Sequence, residues 1–132
     1  MYEPQPRLDT KVAIITGAGS SGPGVGIGKA IAALFAREGC RVVLVDAVSA
    51  QAEETLAMIR ADGGEAFVEQ VDVTQSGDCH RMVEAAVARY GRLDILVNNV
   101  GIFAPGNVVG VDEADWDRVV DTNLKSMVPV SY

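Results

Sequence analysis

Thr16-Gly17-Ala18-Gly19-Ser20-Ser21-Gly22-Pro23-Gly24-Val25-Gly26-Ile27-Gly28 is the stretch that decides the fold. Before it runs Val12-Ala13-Ile14-Ile15-Thr16, a continuous apolar segment of the kind expected of a strand buried on both faces. After it, Ile27, Ala30, Ile31, Leu34 and Phe35 recur at helical spacing. Glycines that join a strand to a helix let backbone N–H groups and the positive end of the helix dipole meet a phosphate. A glycine pattern alone carries little weight. In strand–turn–helix context, with an acid closing the next strand, it points to a dinucleotide site.

The same alternation continues outward. Gly39 stops the first helix, and Arg41-Val42-Val43-Leu44-Val45-Asp46 reads as a second apolar strand. Ala52, Leu56 and Ile59 mark a second helix that ends near Gly63-Gly64. Ala66 to Asp72 is a weaker third strand, and Val83, Ala86, Val87 and Tyr90 mark a third helix closed by Gly91. Leu93 to Asn99 contains a fourth strand. Trp116, Val119, Val120, Leu124 and Met127 mark a fourth helix, capped by Asp112 with Asp115 close behind and ended by Val128-Pro129. Strand and helix alternating with short connections require parallel strands and right-handed crossovers. The expected fold is α/β, a doubly wound parallel sheet of four strands, with the glycine turn placing the first strand centrally in the order 3-2-1-4. Residues 1–10 read as a Pro-containing tail and 11–132 as one domain.

Bulk properties narrow the function. The chain has 132 residues, 48% of them hydrophobic, which excludes disorder for most of its length. Its net charge is −7, so it lacks the electrostatic footprint of a nucleic-acid or anionic-membrane binder. The first residues carry no signal-peptide core, and no apolar run approaches a membrane span. Cys40 and Cys79 are far apart, without CxxC or histidine spacing, and read as reduced thiols of a cytoplasmic protein with no metal. His80, the single histidine, reads as a surface residue on a polar helix start.

Asp46 ends the second strand, 18 residues after Gly28. An acid there can accept hydrogen bonds from both hydroxyls of an adenosine ribose and repel a 2′-phosphate. No Arg or Lys follows until Arg60, which favours NAD over NADP. The plainer alternative is an exposed strand-end carboxylate. Asp72 with Val73 could hold an adenine amino group, or Asp72 could be a turn residue ahead of Thr74 and Ser76. In Asn98-Asn99-Val100-Gly101, two amides at a strand end need partners and could tie strand ends together, leaving Gly101 open to a ligand; an ordinary loop start is the alternative. Asn123 falls on or beside the apolar face of its helix, where an amide bonded to a backbone carbonyl is the reading from pattern alone.

Taken together, Thr16-Gly17, Gly26-Ile27-Gly28-Lys29-Ala30, Asp46, Asp72-Val73, Asn98-Asn99-Val100-Gly101 and Asn123 resemble the N-terminal half of a short-chain dehydrogenase/reductase. The resemblance covers residues 11 to about 128 and implies a Rossmann-like, NAD-binding sheet. It implies that Gly17, Gly26, Ile27 and Gly28 form the pyrophosphate turn, that Asp46 binds ribose, and that Asp72 and Val73 flank adenine. It implies that Asn98 and Gly101 shape the cleft, with Asn98 also bracing the central strands, and that Asn123 organises a water-linked proton relay. The implied activity is hydride transfer between NAD(H) and a small alcohol or carbonyl substrate.

Three features depart from the family. Eight residues separate Gly17 from Gly26, so material resembling Ser-Gly-Pro-Gly-Val is inserted. Gly17-x-Gly19-x-x-Gly22 offers a competing register, but the helix pattern starts at the later glycines. Val100 replaces the usual alanine, and would either crowd the cofactor ribose or fill local space. Finally, the family's catalytic serine and Tyr-x-x-x-Lys pair are missing: no lysine follows Tyr2, Tyr90 or Tyr132 at that spacing, and Ser131-Tyr132 comes too soon after Asn123. The expectation is a truncated chain, inactive alone, that self-associates through the edge of its fourth strand or its fourth helix. The alternative is a non-catalytic nucleotide-binding or self-associating module.

Overall fold

A computed structural model of the chain describes residues 5–20, 24–102, 104, 106–107 and 109–128. The predicted Pro129 helix stop, the Ser131-Tyr132 pair and Tyr2 lie outside the described residues, as do Ser21, Gly22 and Pro23 of the inserted stretch.

The strands are β1 (Val12–Thr16), β2 (Arg41–Asp46), β3 (Ala66–Gln70) and β4 (Ile95–Val97). They form one parallel sheet in the order β3-β2-β1-β4, as the sequence predicts. The helices are α1 (Ile27–Arg37), α2 (Ser49–Ala61), α3 (Ser76–Tyr90) and α4 (Glu113–Val120), and α4 runs into a π-helical turn, Asp121–Lys125.

Strand periodicity divides the core into two layers. Ala13, Ile15, Val42 and Leu44 face α1 and α2, where Ala32, Ala52, Leu56 and Ile59 pack on them. Ile14, Val43, Val45 and Phe67 face α3, where they meet Cys79, Met82 and Ala86. Both surfaces of β1 and β2 are therefore covered, which is why these strands are unbroken apolar runs. In β4 all three residues are only half-buried, and β4 pairs with β1 alone at one edge of the sheet.

β3 is shorter than predicted. β3 ends at Gln70 because Asp72 turns its carboxylate back on Thr74, accepting from the Thr74 N–H (3.0 Å) and hydroxyl (2.6 Å). Just ahead of β4, Asp94 donates its own N–H to the Val12 carbonyl (2.9 Å) and accepts the Val12 N–H on its carboxylate (2.9 Å). Arg92 grips the same carboxylate with two hydrogen bonds and, with the Val12 N–H, holds it below the usual carboxylate range. The described part of the leading segment is docked: Leu8 N–H donates to the Glu38 carbonyl (2.8 Å), Arg7 N–H to the Glu38 carboxylate (2.9 Å), and Leu8 packs against the core.

Asp112 caps α4 by accepting the Asp115 N–H at 2.7 Å, as the sequence predicts. The apolar stripe beyond it is uncovered, as expected of a fourth helix without neighbours: α4 has no buried residue, and Trp116 and Leu124 are 54% and 66% exposed. No helix among the described residues is long and apolar enough to cross a membrane.

Candidate functional site

The strand ends, the glycine turn and the starts of α1 and α2 enclose a cleft of about 790 Å³. That is within the usual range for small-molecule sites, about 300–1,000 Å³. It forms where neighbouring strands β1 and β4 send their chains to opposite faces, the customary ligand position in an open α/β sheet.

The turn is built by backbone approach. Gly17 has φ +62°, and its carbonyl oxygen lies where a Cβ on Gly28 would stand. The same imaginary Cβ would lie 2.6 Å from the Asn99 side-chain nitrogen. Only glycine fits at Gly28, and α1 can therefore begin directly against the end of β1. Gly26 is the N-cap and Ile27 the first helical residue, so the helix starts in the register that the later glycines predict. Ile27 is 73% exposed on the cleft.

Asp46 does more here than end β2. Its two carboxylate oxygens accept the Gly19 N–H at 3.0 Å and the Val48 N–H at 2.9 Å. The carboxylate thus ties the glycine turn to the start of α2, where a negative charge suits the helix dipole. Among the described residues lining the cleft there is no Lys or Arg.

A second tie is hidden underneath. Thr55 of α2, fully buried, donates its hydroxyl to the Ala18 carbonyl at 2.8 Å, and Ala18 N–H donates to the Val45 carbonyl at 3.1 Å. At Gly19 the approach is so close that a Cβ would fall on the Gln51 side chain and 2.7 Å from its carbonyl carbon. Thr55 and Gln51 carry no motif. Their partners lie across the turn, and nothing in α2's own spacing announces them.

The remaining predicted residues sort by place. Asp72 lines the cleft and also makes the turn with Thr74, so both of its readings are compatible with its position. The Val73 side chain is buried in the α3-side core, although the residue borders the cleft. Gly101 lies open on the cleft, where a Cβ would meet nothing within 4 Å. Val100 is half-buried against the α3-side core and also lines the cleft, so both of its readings are compatible with its position. Asn98 borders a small recess next to the cleft, together with Val73, Val100, Ser126 and Met127. It is Asn99 that reaches the turn: its N–H donates to the Thr16 hydroxyl (3.0 Å) and its side chain to the Gly17 carbonyl (3.2 Å). The Thr16 hydroxyl in turn donates to the Val97 carbonyl at 3.1 Å, joining β1 to β4.

Asn123 sits in the π-helical turn and pairs with the backbone of one residue. Its side-chain oxygen accepts the Ile102 N–H at 2.8 Å and its amide donates to the Ile102 carbonyl at 2.7 Å. The side chain is thereby committed to holding the loop after β4. The Ser126 N–H reaches the Asp121 carbonyl five residues back (2.9 Å), and Thr122, on the same turn, borders the cleft.

His80 is exposed, with Nδ1 2.8 Å from the Ser76 carbonyl of its own helix. Cys40 and Cys79 are buried free thiols; burial pushes Cys40 up to about 11 and raises Cys79 as well. No group of His, Cys, Asp and Glu among the described residues could hold a metal ion.

Comparison with known proteins places this geometry. The short chain dehydrogenase family model matches residues 11–132. An uncharacterized oxidoreductase of Thermotoga maritima is 42% identical over 115 residues, covering 87% of this chain and 43% of the relative. The 3-oxoacyl-(acyl-carrier-protein) reductase FabG of the same organism is 38% identical over 125 residues, covering 95% of this chain and 49% of its own. Among solved structures, a Burkholderia xenovorans short-chain dehydrogenase/reductase superposes with TM-score 0.91 at 47% identity, covering 95% of this chain and 50% of that one. An Escherichia coli hydroxysteroid dehydrogenase superposes with TM-score 0.85 at 38% identity, covering 95% and 51%. The chain spans about half the length of the curated relatives it matches. With its sheet order, glycine turn and residues 11–132 all in agreement, the chain belongs to the short-chain dehydrogenase family.

Proposed function

We propose that this chain forms the cofactor-binding part of an NAD-dependent oxidoreductase that moves hydride between NAD(H) and a small alcohol or carbonyl substrate. The observation that carries the reading is Asp46: a carboxylate pinned by two backbone N–H groups at the end of β2, in a cleft without Lys or Arg among its described lining residues. A 2′-phosphate would meet that carboxylate with no cation to offset the repulsion, whereas ribose hydroxyls can donate to it.

The residues present fit such a cofactor. Gly17, Gly26, Ile27 and Gly28 offer a side-chain-free approach to the α1 N-terminus for the pyrophosphate. Asp72 and the Val73 backbone lie beside the position for adenine, and Gly101 leaves the far end open. In this reading Asn99 joins Asn98 in bracing the strand ends. The nicotinamide, when bound, supplies the hydride acceptor or donor. Asn123 holds the Ile102 backbone with its side chain, so in this reading any share in a proton relay belongs to its backbone.

The 132 residues contain no Tyr-x-x-x-Lys, so the chain by itself is expected to bind without turnover. The buried thiols suit a reducing, cytoplasmic setting, and the net charge of −7 gives no attraction to nucleic acid or anionic membrane. The β4 edge and the exposed Trp116 and Leu124 favour self-association, which also supports a non-catalytic, self-associating module as the second reading.

Calorimetric titration with NAD and NADP tests the proposal. NAD binding more tightly than NADP, with Asp46→Ala narrowing the gap, is the expected result. No heat with either nucleotide would remove the cofactor reading, and tighter NADP binding would overturn the role of Asp46. A strictly monomeric species in light scattering would remove self-association.

A further inference from the structure

The lengthened connection between Gly17 and Gly26 should disturb the turn it interrupts, because a longer loop costs more entropy to close and specifies its ends less tightly. Its described ends nevertheless meet. The Gly26 N–H donates to the Ser20 hydroxyl oxygen at 2.8 Å. A Cβ built on Gly26 would stand 3.2 Å from that oxygen and 4.0 Å from the Ser20 Cα. The two Cα atoms therefore lie within about 5.5 Å of each other, against about 3.8 Å for consecutive residues, so the ends of the inserted stretch come close together. On either side of this neck the short-turn contacts are intact: Gly19 on Asp46, Thr55 on Ala18, and Gly17 against Gly28.

We infer that Ser20 is a positioning residue whose hydroxyl closes the neck of the inserted residues, so that the glycine turn keeps its cofactor-binding shape despite its length. The inference rests on the NAD-binding reading for its functional consequence. Its structural content rests on the neck alone. The local chemistry fits this role, since Gly26 caps α1 without a side chain of its own and the Ser20 oxygen accepts the amide at that position. Ser20 and Gly26 thus meet directly across the turn. In effect, a hydrogen bond stands where a shorter relative would have a peptide bond.

Four chains test this: the unaltered chain, Ser20→Ala, a deletion of residues 21–25 that joins Ser20 to Gly26, and the deletion carrying Ser20→Ala. In the unaltered background Ser20→Ala is expected to weaken NAD binding roughly three- to tenfold, the effect of losing one net hydrogen bond. In the deletion background the same substitution should change affinity by less than about twofold, since a covalent join replaces the neck. An equal loss in both backgrounds would mean that the hydroxyl touches the cofactor itself, and would overturn the inference. So would no loss in the unaltered chain, or a deletion chain that fails to fold, because a closed neck can be joined directly. If no chain binds NAD, the functional reading fails, and hydrogen exchange at the Gly26 amide judges the neck independently. Slow exchange that becomes fast in Ser20→Ala supports closure; exchange unchanged by the substitution overturns it.

Discussion

Replacing Thr55 with valine should reveal how firmly α2 is locked to the glycine turn. Valine keeps the shape of threonine but removes the hydroxyl that donates to the Ala18 carbonyl at 2.8 Å. Thr55 and Ala18 are both fully buried, so no water replaces the lost donor. A buried acceptor left without its partner costs about 1–3 kcal/mol. For a domain of this size, 1 kcal/mol corresponds to roughly 4 °C in Tm. Thr55→Val should therefore melt about 4–12 °C below the unaltered chain when followed by far-ultraviolet circular dichroism. The expected loss exceeds the cost of an ordinary surface substitution, about 0.5 kcal/mol, and so is measurable. A Tm equal to or above that of the unaltered chain would refute the claim that the Thr55 hydroxyl holds the turn.

Three further outcomes follow from the same geometry. Gly28→Ala gains up to about 1 kcal/mol of helix propensity but drives a Cβ into the Gly17 carbonyl, a strain of about 1–3 kcal/mol, so it should lower Tm and weaken NAD binding; a stabilised variant would contradict the close approach. Cys40, whose thiol is pushed up to about 11, and Cys79 should both resist iodoacetamide at pH 8 in the folded chain and react after unfolding, and rapid labelling of either in the native state would count against their burial. Asp94 is held below its ordinary range by Arg92 and the Val12 N–H, so its stabilisation is present above the unfolded value near pH 3.9 and is lost as pH falls through the folded one. The Tm gap between the unaltered chain and Asp94→Asn should shrink below about pH 4, and a gap constant from pH 7 to pH 3 would remove the carboxylate from the account.

Much of the fold is legible because it depends on short-range pattern. Val12 to Thr16 and Arg41 to Asp46 read as strands since both their faces are buried, and the start of α1 reads from Gly26 onward since its apolar periodicity begins there. What stays hidden depends on partners far along the chain. The Asp94 carboxylate accepts a backbone N–H 82 positions away, ahead of β4. Asn123 reaches 21 residues back to Ile102, and the helix there widens into a π turn although Trp116, Val119, Val120, Leu124 and Met127 keep an unbroken helical period. The site shows the same division. Asp46 is visible as the acid that closes β2, but its bonds to Gly19 and Val48 are not. Asn98 and Asn99 are chemically identical neighbours, and only the strand's alternation decides which one faces the turn.

The docking of the leading segment has a practical consequence. Leu8 and Arg7 bond to Glu38 just ahead of β2, and Asp94 bonds to Val12 at the start of β1. These contacts gather at the end of the sheet where the strands begin, whereas the cleft opens where they finish. The sheet thus separates an anchoring end from a sensing end. A surface linker or a reporter fused ahead of Gln5 would be held about one strand length from the cleft, roughly 17 Å by ordinary strand dimensions, and would leave it unobstructed. Immobilised that way, the chain could present to solution the cleft proposed to bind NAD, as the recognition element of a sensor.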